Sequence, residues 1–220
     1  NNLFKSPNID FNKINNNLNE IISDNRVVDF EAKYPFSSGL GALDLLIHKN
    51  KIYLSYTRKV KTNCYGISIL SAKLDYDFLT FNNFFSTDDC IENKRGWSQA
   101  GGRMVIYNNN MLLTTGDMKV KSTAQDESVI FGKVLKINLK DGKYSIYSKG
   151  HRNPQGLIYI EKEDVILTTS HGPKGGGEIN KIIFNKNYGW PISSYGTHYP
   201  NDPDKKTPFL KSHKDHGFIE

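Results

Sequence analysis

Gly41-Ala-Leu-Asp-Leu-Leu-Ile-His-Lys-Asn-Lys-Ile-Tyr-Leu-Ser-Tyr-Thr57, Gly102-Arg-Met-Val-Ile-Tyr-Asn-Asn-Asn-Met-Leu-Leu-Thr-Thr-Gly116 and Gly156-Leu-Ile-Tyr-Ile-Glu-Lys-Glu-Asp-Val-Ile-Leu-Thr-Thr-Ser170 share one plan. Each runs from a Gly through an apolar strand, a polar turn and a second apolar strand to a Thr or Ser or just beyond it. The units recur at roughly 55–60 residues, and a further strand pair follows each of the first two. These pairs are residues 65–74 with 78–85, and 132–139 with 143–148. Four strands per unit at that period predicts an all-β fold built from the four-stranded antiparallel blades of a β-propeller. A β-sandwich would also show short strands and polar turns, but not the return of the same first hairpin.

Outward from these hairpins the chain is less regular. Residues 12–19 read as a polar, Asn-rich turn, 26–32 as an alternating segment and 34–39 as a loop. With 220 residues and 37% hydrophobic content there is enough apolar material for one large domain over residues 1–220. The chain starts without Met and stops abruptly after Gly217-Phe-Ile-Glu220, which reads as a propeller incomplete at both ends, with three blades and pieces of a fourth.

The net charge is +6, but the basic residues are almost all Lys, scattered among Asn and Ile. That mixture fits an AT-rich coding bias better than a basic patch, so nucleic acid is not an expected partner. No apolar run reaches the roughly 18 residues of a membrane span. The only arginines are Arg26, Arg58, Arg95, Arg103 and Arg152.

Cys64 and Cys90 match no metal-ligand spacing, leaving two buried thiols or one disulfide. Cys64 opens one predicted strand and Cys90 follows the next, so antiparallel pairing favours the bridge. A disulfide would contribute roughly 3 kcal/mol and suit an oxidising compartment such as the periplasm.

Blade topology also predicts where the chemistry gathers. Strands A and B of a blade are antiparallel, so the loop leading into A and the loop leaving B lie at the same end. Residues 97–101 and 150–155 lead into A strands, whereas 116–117 and 171–177 leave B strands. All four loops should meet at one mouth, where a rigid β scaffold usually carries its binding groups.

Those loops hold a series of short motifs in order. They are Gly-Gly-Arg103, Thr-Thr-Gly-Asp117, Gly-Lys-Val-Leu-Lys-Ile137, Gly-His-Arg-Asn-Pro-Gln-Gly156, His-Gly-Pro173, Glu-Ile-Asn180 and Asn-Tyr-Gly-Trp-Pro191. Taken together they resemble the soluble quinoprotein glucose, sorbosone and aldose-sugar dehydrogenases. That resemblance implies a six-bladed propeller, pyrroloquinoline quinone (PQQ) with Ca²⁺ as cofactors, a sugar oxidised at its anomeric carbon, and a periplasmic or secreted location. It matches Arg152 and Asn153 to the cofactor-contacting pair, a fitting role for a guanidinium that clamps a carboxylate or quinone oxygen. It matches the carbonyls of Gly172 and Pro173 to ligands of the cofactor-bound Ca²⁺, and Glu178 with the carbonyl of Tyr188 to ligands of a second, structural Ca²⁺. Shortly after Trp190, where a further ligand carboxylate is expected, the chain has Thr197-His-Tyr199 instead. His171 falls where a polar side chain lines the cofactor.

One position departs from the pattern. Just before Gly101-Gly102 the family carries a His that takes the sugar's proton; here Gln99 stands there. An amide can hydrogen-bond a sugar but cannot accept its proton, and losing a general base typically removes about 10²–10⁴ in rate. His151 already belongs to a separate motif and is no obvious substitute. The alternative is a non-catalytic propeller that binds a protein or carbohydrate, as propeller domains do in hedgehog-interacting proteins.

Overall fold

A computed structural model describes residues 14–22, 41–92 and 98–219. The segments 26–32 and 34–39, Trp97, Arg26 and Arg95 lie outside the described residues. In chain order the elements are β1 (Asn15–Asn16), α1 (Leu18–Ile22), β2 (Ala42–His48), β3 (Lys51–Lys61), β4 (Cys64–Lys73), β5 (Phe78–Leu79), β6 (Asn82–Phe85) and β7 (Ile91–Glu92). They continue with β8 (Gly101–Tyr107), β9 (Asn110–Thr115), β10 (Lys133–Asn138), β11 (Tyr144–Lys149), β12 (Pro154–Ile160), β13 (Val165–Ser170), β14 (Glu178–Lys181) and β15 (Lys186–Asn187).

The strands form three blades of a β-propeller. Blade 1 is β2-β3-β4-β6, with β7 on β4; blade 2 is β8-β9-β10-β11, with β15 added at its outer edge; blade 3 is β12-β13-β14. The three repeated hairpins are the first two strands of each blade, and β8 packs between β2 and β12, so the A strands stand side by side. The turn of the second hairpin shows why its sequence repeats Asn. Asn108 and Asn109 both have positive φ, 46° and 59°, as a two-residue hairpin turn requires, and Asn tolerates that conformation better than most residues.

Blade 2 is buried on both faces. Met111 and Leu113 point into a core shared with Tyr53, Ile67 and Ile69 of blade 1, whereas Leu112 points into a core with Ile166 and Ile182 on the side of blade 3. That double burial is why β9 reads as an unbroken apolar run rather than an alternation.

One expectation needs correction. Residues 78–85 form two strands, not one: the Asp75 carboxylate accepts from the amides of Asp77 and Phe78, β5 turns away to pair in parallel with β1, and only β6 pairs with β4. The break lets Leu79 and Phe81 cover Ile52, Leu54 and Leu70 on the outer face of blade 1. The Asn-rich region contributes to the same cover: Asn16 Oδ1 accepts from the Leu18 amide to open α1, whose Leu18, Ile21 and Ile22 pack there. The Asn17 amide fixes this lid with two bonds to the Phe81 backbone, of 3.0 and 2.8 Å. After β15 the described chain forms no further named strand, only the isolated bridges Lys174 with Thr197 and Ser193 with Leu210 and a 3-10 turn over Lys214–His216.

Cys64 and Cys90 are disulfide-bonded, with Cα atoms 5.3 Å apart. The bridge lies beside the short β4–β7 pairing, in which Cys64 faces Glu92.

Candidate active site

The predicted mouth is assembled by backbone hydrogen bonds between loops distant in sequence. The Gly116 amide donates to Ala100 O, the Met118 amide to Gln99 O and the Asp117 amide to Arg152 O, at 2.8, 3.2 and 2.8 Å. The His171 amide closes the set on Asn153 O at 2.9 Å. Crossing at this range leaves no room for a side chain at 116: a Cβ on Gly116 would lie 1.7 Å from Gln99 O. The four loops inferred from strand direction therefore do share one end of the propeller.

Side chains complete the mouth. Arg152 Nη1 donates to the carbonyls of His171 and Gly172, each at 2.9 Å. With the Gln99 amide in the orientation that satisfies both neighbours, its oxygen accepts from Arg152 Nη2 at 2.9 Å and its nitrogen donates to Asp117 Oδ1 at 2.7 Å. Asp117 Oδ1 also accepts from the Lys119 amide, and Oδ2 from the Trp190 indole at 2.8 Å. The Trp190 ring lies 5.4 Å from the Arg152 guanidinium carbon, close enough for a cation–π contact. A polar string thus runs from Trp190 through Asp117 and Gln99 to Arg152 and the two carbonyls.

Asp117 is fully buried. Burial pushes its carboxyl up to about 6, against the opposing pull of the Lys119 amide, the Trp190 N–H and the charges of Arg152 and Lys121. His151, also buried, is a structural residue: its Nε2 lies 2.8 Å from Ser148 Oγ and its ring stacks on Tyr188. Burial, aided by the Lys133 charge, presses that imidazole down to about 3, so it stays neutral. Lys133 is itself buried, with Nζ donating to the carbonyls of Thr123 and Phe131 at 2.7 and 2.6 Å, which pins the segment after Asp117. Asn153 is buried too, and its Oδ1 accepts from the Gly101 amide at 3.3 Å, holding the Gln99 loop against the Arg152 loop.

The remaining positions singled out from the sequence spread further. His171 contributes its carbonyl, while its side chain is exposed. Pro173 O accepts from the Gly176 amide at 2.8 Å in a tight turn. Glu178 begins β14, where Oε2 accepts from Asn180 Nδ2 at 3.0 Å and Oε1 lies 3.7 Å from His213 Nε2. Tyr188 is buried, and its hydroxyl donates to Lys181 O at 2.6 Å. Carboxylates do follow Trp190, namely Asp202 and Asp204, but Lys121 Nζ pairs with both, at 2.7 and 2.9 Å, and His198 lies 3.2 Å from Asp202. Among the described residues no three His, Cys, Asp or Glu side chains converge as a metal cluster. A groove of about 900 Å³, walled by Tyr56, Arg58 and Phe81, lies on blade 1 beside the last residues of β3.

Trp190 and His213 were not assigned roles from the sequence. Trp190 sits in a motif, but its indole bond to Asp117 spans 73 residues and has no local signature.

A family model described as glucose/sorbosone dehydrogenase matches residues 25–216. Aldose sugar dehydrogenase YliI of Escherichia coli K12 is 27% identical over 178 residues, taking in 72% of this chain and 48% of that protein. Quinoprotein glucose dehydrogenase B of Acinetobacter calcoaceticus is 39% identical over 79 residues, or 30% of this chain and 16% of its own length. The solved soluble aldose sugar dehydrogenase from Escherichia coli, in its apo form, superposes with a TM-score of 0.67 at 24% identity, over 80% of this chain and 58% of that one. The chain therefore spans about half the length, or less, of these curated relatives.

Proposed function

We propose that this chain, which belongs to the glucose/sorbosone dehydrogenase family, carries the cofactor mouth of a PQQ- and Ca²⁺-dependent aldose dehydrogenase that has Gln99 in place of a general base. The observation that carries this reading is the Arg152 cluster, in which two carbonyls already converge on one cationic group. Gly172 O belongs both to this pair and to the pair expected to hold Ca²⁺, and the guanidinium beside it suits a carboxylated cofactor. Bound at the mouth, PQQ would supply an ortho-quinone acceptor for the hydride of the sugar's anomeric carbon.

The chain's own residues then have separable tasks. Arg152 binds a cofactor carboxylate or quinone oxygen and stabilises negative charge there. Asn153 fixes the loop that carries Arg152. The carbonyls of Gly172 and Pro173 would hold the cofactor's Ca²⁺, and Glu178 with the Tyr188 carbonyl would serve a second cation. His171 borders the cofactor. Gln99 hydrogen-bonds the sugar hydroxyl without taking its proton, and Asp117, fully buried behind it, cannot reach the sugar directly. The disulfide between Cys64 and Cys90 agrees with a periplasmic or secreted setting, and no helix among the described residues is long and apolar enough to cross a membrane.

A second reading follows from Gln99 itself. Its side chain is engaged at both ends, by Asp117 and Arg152, as expected of a propeller that keeps the mouth for binding and has given up turnover. One experiment separates the two. In the dehydrogenase reading, Gln99→His raises sugar-dependent dye reduction in the presence of PQQ and Ca²⁺ by about two to four orders of magnitude. The gain appears mainly in kcat and fades at acid pH, near an imidazole pKa of about 6.5. Binding of PQQ with no gain from Gln99→His favours the binding propeller, and no binding of PQQ at all sinks the dehydrogenase reading.

A further inference from the structure

We infer that the Arg152 guanidinium is a built-in competitor for the divalent cation at the mouth, and that an anionic cofactor relieves the competition by drawing Arg152 away. This rests on the cofactor reading above and adds an order of events to it. Arg152 Nη1 donates to His171 O and Gly172 O, so it already uses the Gly172 carbonyl proposed for Ca²⁺. Calcium binds oxygen at about 2.3–2.6 Å. A carbonyl that holds a guanidinium nitrogen 2.9 Å away would bring a double positive charge within about 4–5 Å of Arg152, and like charges at that range repel strongly in a partly buried site. Cation and docked guanidinium therefore exclude each other.

Gln99 sets the strength of the competitor. Its amide nitrogen is anchored on the buried Asp117 carboxylate, which aims its oxygen at Arg152 Nη2. Asp117 in turn is fixed by the Trp190 indole and the Lys119 amide. The guanidinium thus rests between three oxygen acceptors, and leaves them when an anion offers a stronger partner. A cofactor carboxylate is such a partner, because a pair of opposite full charges outweighs a guanidinium bond to a neutral carbonyl. Cation and anionic cofactor then load cooperatively, each raising the affinity for the other by the same factor.

The test is calorimetric titration of CaCl₂ into the full chain, with and without saturating PQQ, for the unmodified protein, Arg152→Gln and Gln99→Gly. The glycine fits the positive φ of 65° at that position. Without PQQ, Arg152→Gln binds Ca²⁺ about tenfold or more tightly than the parent, the worth of one charge-assisted bond removed from the competitor. Gln99→Gly gains a smaller factor, and serves as the test should Arg152→Gln fail to fold. Saturating PQQ tightens Ca²⁺ binding to the parent by at least about tenfold, and Arg152→Gln loses most of that coupling. Equal or weaker Ca²⁺ binding by both variants without PQQ overturns the inference. Binding of PQQ with no Ca²⁺ uptake by any of the three overturns it while leaving the cofactor reading in place. Failure to bind either ligand sinks both.

Discussion

Replacing Asp117 by Asn measures how much stability the mouth gives up to keep a buried carboxylate. The group lies at about 6 in the folded chain against 3.8 for the free side chain, so the ionised form is disfavoured by about 2 pH units, or about 3 kcal/mol at 1.36 kcal/mol per unit. Below 3.8 both states are protonated and the cost is absent. Between 3.8 and 6 the unfolded chain has released its proton and the folded one has not, so stability falls as pH rises; above 6 the full cost is present. Asn carries no charge and removes this slope. It also brings a penalty of its own, because three N–H donors, from Lys119, Trp190 and Gln99, face this side chain and an amide accepts through one oxygen only. One donor left unpaired costs about 1–3 kcal/mol at every pH. The variant should therefore be less stable than the parent at pH 4 by about 1–3 kcal/mol, and equal to it or more stable at pH 7. Urea unfolding followed by tryptophan fluorescence between pH 4 and 7 reads this directly, since Trp190 contacts the substituted side chain. Other titrating groups cancel in the difference between parent and variant. A difference that stays flat with pH, or that grows in the opposite direction, would refute the assignment of Asp117 as a carboxylate held against its own desolvation.

Two further outcomes rest on the same description. His151 is held neutral at about 3, below the 6.5 of an exposed imidazole, so its contribution is present above 6.5 and is lost as pH falls. Between pH 7 and 4.5 this amounts to about 2.5 kcal/mol, and His151→Phe, which keeps the stack on Tyr188, should remove that share of the acid sensitivity in urea melts. The bridge between Cys64 and Cys90 closes a separation of 26 residues, worth about 3.5 kcal/mol by loop entropy. Cys64→Ala with Cys90→Ala should lower Tm by about 10 °C in a thermal melt, and a drop under about 3 °C would mean that the bridge restrains little in the unfolded chain.

The repeated hairpin was legible because blades are local: Gly, strand, polar turn and strand all follow within one short stretch, and the turn residues Asn108 and Asn109 announce their own backbone geometry. Strand direction then placed four loops at one mouth with no knowledge of distances. The bridge was legible for the same reason, as its cysteines flank neighbouring strands. The break between β5 and β6 was not, because it answers to a cover formed with Leu18, Ile21 and Ile22 from a distant part of the chain. A polar, Asn-rich stretch gives no sign that Asn17 will bind the Phe81 backbone.

At the site the division is sharper. The sequence alone determined which residue types reach the mouth, Gln99, Asp117, Arg152 and Asn153, and that position 99 bears an amide. Only the tertiary structure decided that these side chains form one connected string. It also decided that Arg152 rests on the carbonyls of His171 and Gly172, that His171 is exposed, and that Trp190 completes the coordination of Asp117. The physical reason is that hydrogen bonds and burial are set by where separate blades meet in space. Sequence spacing fixes which loops meet, whereas the partner each polar atom finds depends on packing across blades that no local pattern encodes.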